Sequence, residues 1–339
     1  MIQLKFAYLG AWHSHAGMHV REATQHPDKF QLVGMYDPDA EVIARRQAEW
    51  SESFPELHVF PSIEAVLESE AEAVIVEGHV YQNLDYTEQA LEAGKHVLLE
   101  KPAGVDVAQL KRLHRLAEQK ELTLQMAYMW RYNPAIHEML RLAKASAFGH
   151  IFYYRGHIPK PKEWHPQLEQ EFKVYHGGIY FEMAGHLVDL MVILMGEPTS
   201  VKSVLGKHYD RQTEVDNAVV VHEFEHGLGT IDTAGMHIES SRARRIEVYG
   251  TKGTAIHTPI GSNNLSLSME TAVESYDTGW QDVTISSLPE SLSLLQELSA
   301  CIRGIKRPDY SLAHDLAVQQ TLLAGCGITN GKALKAPIH

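Results

Sequence analysis

The sequence predicts an α/β protein in two parts. An N-terminal, doubly wound domain on a parallel sheet is followed by an α/β domain on a large, mostly antiparallel open sheet. Three observations carry this reading. Up to about residue 127, short β-rich runs alternate with amphipathic helical patterns, the signature of βαβ units. From about residue 150 the texture changes to longer alternating strands joined by short Gly-containing turns, which suits antiparallel pairing with one exposed face. At 339 residues the chain exceeds what one hydrophobic core usually supports. The expected division is 1–127 and 128–339.

In the first part, strands are expected at "KFAYLG", "FQLVGMYD", "LHVF", "AEAVIVEG", "HVLLEK" and "LTLQMAY", six in all. Between them lie helices such as "YTEQALEAG" (86–94), whose last Gly suits a C-cap, and "DVAQLKRLHRLAEQK" (106–120). In the second part, strands are expected at "HIFYYRGHI", "NAVVVHEFEHG", "LGTIDTA", "RRIEVYG", "GTAIHTP" and "LSLSME", with closing helices near 288–303 and 311–328. No repeat or low-complexity tract interrupts them.

Composition narrows the function. A formal net charge of -13, with only short basic clusters such as "SRARR" (241–245), leaves no electrostatic footprint for nucleic acid or an anionic membrane. A small-molecule ligand is the expected partner. Cys301 and Cys326 are too few for a disulfide framework, so a reducing cytoplasm is expected. The N-terminus runs directly into a strand and no apolar run reaches membrane-spanning length, so the chain reads as soluble and unprocessed. Twenty-one histidines favour imidazole chemistry somewhere in the molecule.

The first chemical motif is "FAYLGAWHSHAGMHV" (6–20). An apolar strand runs into Gly10, where a Rossmann βα turn continues as G-x-G-x-x-G; here Trp12 and His15 hold the other two glycine positions. Asp37 ends the second strand 22 residues beyond His15, about the spacing at which an acid takes the cofactor ribose 2′-hydroxyl. Its charge would repel a 2′-phosphate, which favours NAD over NADP; the alternative is an Asp that merely opens the "DPD" turn.

Next come Glu100, Lys101 and Pro102, closing the strand "HVLLEK". The carboxyl ends of strands in an open parallel sheet line the ligand crevice, so this lysine is expected to serve a site there rather than a surface turn. The stretch "HGGIYFEMAGHLVDLMVILMG" (176–196) reads as one helix after a Gly-Gly turn, with Glu182, His186 and Asp189 sharing a face. That face offers an imidazole to take a hydroxyl proton and carboxylates to orient it, or, more plainly, a solvated helix face. A metal at Glu182 and His186 would lack a third ligand, and none is expected.

These residues carry a resemblance to the Gfo/Idh/MocA family of oxidoreductases, which includes glucose-fructose oxidoreductase and inositol dehydrogenases. It rests on "EAGKHVLLEKP", "MWRYNPAI" (129–136), the glycine-led helix ending "GHLVDL", "VDNAVVVHEFEHGLGTI" (215–231) and "IEVYGTKGT" (246–254), in that order over nearly the whole chain. It implies a Rossmann domain, a second domain often used for oligomerisation, and NAD(P)-dependent chemistry at a carbinol carbon of a sugar, cyclitol or derivative. By the same resemblance Lys101 matches the lysine expected at the nicotinamide and the substrate hydroxyl. His186 matches the proposed general acid/base, and Glu182 falls where the family usually has Asp. Trp130, Arg131 and Tyr132 match the segment that commonly lines the substrate pocket.

The departures gather at the cofactor: the glycine-rich turn is "GAWHSHAG", and the family's Thr-Pro-Asn is Glu77-Gly78-His79. Trp12 should keep its backbone from lying against a pyrophosphate in the usual way. Either the turn is one residue longer, with Ala16 as the small packing residue, or the cofactor sits differently. Helix N-terminal amides would still bind phosphate. His13, His15 and His79 should share one rim. Expected cofactor contacts are Gly10, Ala11, Trp12, His13, Asp37, Glu77, His79, Glu100 and Lys101. Expected substrate contacts are Trp130, Arg131, Tyr132, Tyr180 and His186, with Trp164 in the "KPKEWHP" loop as a further stacking ring.

The leading expectation is an NAD-dependent sugar or cyclitol dehydrogenase, with His186 as base, Lys101 on the oxyanion and Glu182 orienting His186. Two alternatives are a redox-neutral enzyme that uses transient oxidation with retained NAD to drive elimination or glycoside cleavage, and a non-catalytic sugar or dinucleotide sensor. A homo-oligomer, dimer or tetramer, through the C-terminal sheet is also expected.

Overall fold

The computed structural model describes residues 3–161, 176–209, 215–288, 292–329 and 332–333. The chain forms two compact units, Met1–Ala127 with Ser293–Leu312, and Tyr128–Leu292 with Ala313–His339. The expected second part, 128–339, therefore gives up 293–312 to the first unit.

The first unit is built on five parallel strands: β1 (Leu4–Ala11), β2 (Phe30–Tyr36), β3 (Ala73–Glu77), β4 (His96–Leu99) and β5 (Leu124–Met126). Their spatial order is β2-β1-β3-β4-β5. β3 is buried at every position, as expected of a strand covered on both faces. The crossovers are α1 (Ala16–Gln25), α2 (Ala40–Trp50), α3 (Ile63–Leu67), α4 (Val80–Glu92) and α5 (Val107–Gln119). Side-chain caps start α2 and α5: Asp39 accepts from the Glu41 N–H and Asp106 from the Gln109 N–H. The order reverses direction at β1 and β3, where the strand ends open a ligand crevice.

The sixth expected strand, "LHVF", is only an isolated bridge between Met35 and Val59. Met35 donates to the His58 carbonyl at 2.9 Å and accepts from the Phe60 N–H at 2.8 Å. Pro61 follows at once and has no N–H to extend the ladder.

The returning segment closes this unit. Its helix, Leu294–Ile302, is capped by Ser293, whose hydroxyl also bonds Glu22. Gln125 Nε2 donates to the Leu294 carbonyl at 3.1 Å, and Arg303 donates to both Glu72 oxygens at 2.6 and 2.7 Å and to the Gln3 carbonyl at 3.1 Å.

In the second unit a short 3₁₀ turn, Met129–Tyr132, leads into α6 (Pro134–Lys144). An eight-stranded sheet follows: β6 (Ile151–His157), β7 (Ser200–Gly206), β8 (Asn217–Phe224), β9 (Gly227–Ala234), β10 (Arg245–Gly250), β11 (Gly253–His257), β12 (Asn264–Met269) and β13 (Gly279–Thr284). The order is β13-β12-β11-β10-β6-β9-β8-β7, antiparallel except for the parallel β6–β9 pair. Six of these strands match expected runs. β7 and β13 were not expected, because both are edge strands with few buried positions and no apolar alternation to announce them.

The expected single helix over 176–196 divides at Ala184 into Gly178–Met183 and Gly185–Met195. Every residue from Gly178 to Val192 is buried, so its polar residues do not form a solvated face. The second helix seats against the sheet through Leu187, and a Cβ at Gly156 would stand 2.9 Å from its side chain. The register places Val204, Val219, Tyr153, Tyr249 and Trp280 on the opposite face, where Val204, Val219 and Trp280 are exposed.

Candidate active site

In the first unit the site begins at Gly10, whose φ of 78° is left-handed and whose added Cβ would lie 2.5 Å from the Gly78 Cα. Only glycine meets both demands. Beyond it the chain crosses to α1, which starts at the fully buried Ala16; the Tyr8 hydroxyl donates to the Ala16 carbonyl at 2.6 Å. Arginines of α2 hold the intervening backbone. Arg46 donates to the carbonyls of Ala11 (2.7 Å), Trp12 (3.1 Å) and His13 (2.6 Å), and Arg45 donates to that of Trp12 (3.0 Å). From the other side Asp37 accepts from the Ala11 N–H at 2.8 Å and the Asp39 N–H at 3.0 Å. The turn lacking two glycines is thus fixed by a buried guanidinium and a carboxylate.

Trp12 packs on His79, ring centroids 4.6 Å apart, and His79 stacks on exposed Tyr81 at 5.2 Å. His13 and His15 meet edge to face at 4.3 Å. Two of the three histidines expected on one rim therefore join, while His79 lies with Trp12.

At the end of β4 the Glu100 carboxylate lies 2.9 Å from His15 Nδ1 and 3.6 Å from His13 Nδ1. Burial pushes the His15 imidazole down to about 4 despite Glu100. Burial alone would push the Glu100 carboxyl up, but His15, His13 and Lys101 together hold it below the usual range. Near neutral pH the pair is a neutral imidazole donating to an ionised carboxylate. Lys101, the next residue, is only 3% exposed.

Glu77 departs from its expected role. Its side chain is completely buried, 3.2 Å from His19 Nε2, and its carbonyl accepts from the His13 N–H at 3.0 Å. Burial and the Glu100 charge push its carboxyl well above the ordinary range. Its side chain is an internal group.

A dinucleotide fits this frame. Asp37 stands at the end of β2 beside the first turn, and each of its oxygens, having accepted one backbone N–H, keeps a lone pair for a ribose hydroxyl. Burial raises its pKa, and the Ala11 and Asp39 N–H groups counter that rise.

In the second unit His186 is 4% exposed, with Trp130 stacked on it at 4.8 Å and the Tyr128 ring edge-on at 6.0 Å. Glu182 is buried one turn earlier, and Tyr132 is half-buried. Two expected substrate contacts are corrected. Arg131 is committed to Asp189, through Nε at 2.9 Å and Nη2 at 2.5 Å, with Asp315 3.3 Å away. Tyr180 is fully buried against Gly325, where a Cβ would come within 2.6 Å of its ring. Asp189 also bonds His314 at 2.9 Å, so it supports Arg131 and not His186. Trp164 lies outside the described residues.

Sequence reasoning missed Arg46, the His15–Glu100 pair and the His314–Asp315 pair. "ARRQ" just after the "DPD" turn was the available signal for the first; His15 is distant in sequence from Glu100, and His314 and Asp315 from Asp189 and Arg131, so nothing signalled the others.

Comparison with known proteins agrees with the architecture. Residues 4–128 match the family described as "Oxidoreductase family, NAD-binding Rossmann fold", and 136–256 match the GFO/IDH/MocA C-terminal domain. The scyllo-inositol 2-dehydrogenase (NAD(+)) of Bacillus subtilis is 26% identical over 330 residues, 91% of this chain and 88% of that protein. An uncharacterized oxidoreductase of Escherichia coli is 27% identical, and the match spans 66% of this chain and 65% of its length. Among solved structures, the UDP-N-acetylglucosamine 3-dehydrogenase of Acidithiobacillus ferrooxidans superposes with a TM-score of 0.77 at 20% identity, over 97% of this chain and 99% of that one. The WlbA dehydrogenase of Bordetella pertussis, in complex with NADH and UDP-GlcNAcA, gives 0.74 at 19% identity over 96% of each chain. With both family models matched in order on a parallel sheet and a large open sheet, the chain belongs to the Gfo/Idh/MocA family of NAD-binding oxidoreductases.

Proposed function

We propose that this protein is an NAD-dependent dehydrogenase acting on a carbinol carbon of a sugar, a cyclitol or a derivative. The observation that carries the reading is Lys101, buried at the carboxyl end of β4 in the unit that matches the NAD-binding family. The named activities of the inositol and UDP-sugar dehydrogenases support the substrate class.

Bound NAD supplies a hydride acceptor at its nicotinamide. Asp37 takes a ribose hydroxyl, and its charge excludes a 2′-phosphate. His186, held flat by Trp130, removes the proton from the substrate hydroxyl. Lys101 stabilises the developing oxyanion, and Glu182 orients His186. The chain works in a reducing compartment, with Cys301 and Cys326 unpaired, and assembles as a homo-oligomer through the exposed face of its large sheet.

The decisive experiment is mass spectrometry of the purified protein for co-purified NAD, with fluorescence titration by NAD and NADP. Binding of NAD with weaker NADP is expected. No binding of either at millimolar concentration overturns the reading.

A further inference from the structure

His13, His15 and Glu100 bring two imidazoles and a carboxylate together, with one ligand-capable atom from each lying within 4.8 Å of the others. His13 and Glu100 are buried and His15 is partly open to solvent. The His15–Glu100 hydrogen bond explains only one of these contacts. His13 Nδ1 accepts from the His15 N–H at 3.3 Å and lies 3.6 Å from the same carboxylate oxygen, and Glu100 Oε2 is buried with no hydrogen-bond partner. Close by, both carboxylate oxygens of the fully buried Glu77 also lack a hydrogen bond. The ionised Glu100 carboxylate in so dry a place calls for compensating positive charge.

We propose that His13, His15 and Glu100 bind one divalent cation of the zinc class. Imidazole nitrogen with one carboxylate oxygen is a donor set suited to Zn²⁺ or Fe²⁺ and poor for Mg²⁺ or Ca²⁺. Ligands about 2.0–2.2 Å from a tetrahedral metal stand roughly 3.3–3.6 Å apart; the two imidazoles stand 2.9 and 3.6 Å from Glu100 Oε1, and all three ligand atoms lie within 4.8 Å of one another. Three protein ligands leave a coordination position for water or a ligand oxygen. The turn whose glycines became Trp12 and His15 is, on this view, rebuilt as part of a metal centre. The proposal does not depend on the dehydrogenase reading.

The test uses the full-length chain without a polyhistidine tag, stripped by chelator and titrated with Zn²⁺ against a chromophoric chelator. Wild type should bind one equivalent that survives gel filtration, and Co²⁺ should give visible d–d bands. His15→Ala and Glu100→Gln should each weaken binding by about a hundredfold or more, whereas His226→Ala, an exposed control, should not. Circular dichroism establishes that the variants are folded. No tight equivalent in wild type, or unchanged affinity in folded His15→Ala and Glu100→Gln, overturns the proposal. Should those variants fail to fold, zinc X-ray absorption on wild type decides: two imidazole shells support the site, and a shell without imidazole overturns it.

Discussion

Trp130 lies parallel to His186, with ring centroids 4.8 Å apart and planes 20° from one another. A flat indole on one side of an imidazole fixes the plane in which the ring nitrogens act. Such a stack contributes about 0.5–1.5 kcal/mol beyond the area it buries. Trp130→Ala should therefore lower both the melting temperature and turnover. His186→Ala should cost roughly 10²–10⁴-fold in turnover, as expected for a lost general base. NADH absorbance kinetics with a panel of inositols and UDP-sugars measures both; full turnover in His186→Ala would remove it from the chemistry.

Lys101→Met should lower kcat by roughly 10²–10³-fold, the usual loss for one oxyanion donor. The melting temperature should change far less. Near-wild-type turnover on the same substrate panel would refute the assignment.

Arg131 stands between two buried acids, and burial pushes the Asp315 carboxyl up to about 6. Arg131→Met should destabilise the second unit by about 3–5 kcal/mol, because it removes the buried cation between Asp189 and Asp315 and leaves Asp189 only its bond to His314. An acid whose folded pKa is raised contributes stability only while protonated, so the Asp315 contribution is lost as pH rises from about 4 through 6. Asp315→Asn should flatten that part of the pH–stability curve in urea titrations.

Two histidines work in the opposite sense. Burial pushes His114 and His222 down to about 4, so each must be neutral in the folded chain while the unfolded chain binds protons below its ordinary value of 6.5. Stability from this source is complete above pH 6.5 and falls as pH drops toward 4. His114→Phe should reduce the acid sensitivity measured by thermal melts between those limits.

Val204 sits opposite Val219 in register, both exposed on one face of the large sheet. If that face joins copies of the chain, light scattering should find an oligomer in wild type, and Val204→Glu with Val219→Glu should yield monomers. Unchanged mass in the folded double variant would place the interface elsewhere.

The sequence announced what hydrophobic periodicity and motif spacing can announce. The five parallel strands and six of the eight in the second sheet came from apolar runs, and Lys101 from its place at a strand end. Edge strands such as β13 carry too little buried surface to leave a pattern. The polar residues of 182–189 looked like a helix face because spacing does not record burial, and only the fold reveals that Arg131 waits inside for Asp189. The fate of "GAWHSHAG" was equally hidden, since it depends on Arg46 and Glu100, which are distant in sequence.

The returning helix Leu294–Ile302 has a consequence for synthesis. Gln125, Glu72 and Glu22 are made well before their partners Leu294, Arg303 and Ser293, which follow 169, 231 and 271 residues later. At about 5–20 residues per second, roughly ten to thirty seconds separate Ala127 from Ser293. Throughout that interval the nascent nucleotide-binding sheet lacks its last helix. A fragment ending at Ala127 is therefore an unfinished protein, and an expressible version must carry 293–312 appended to it.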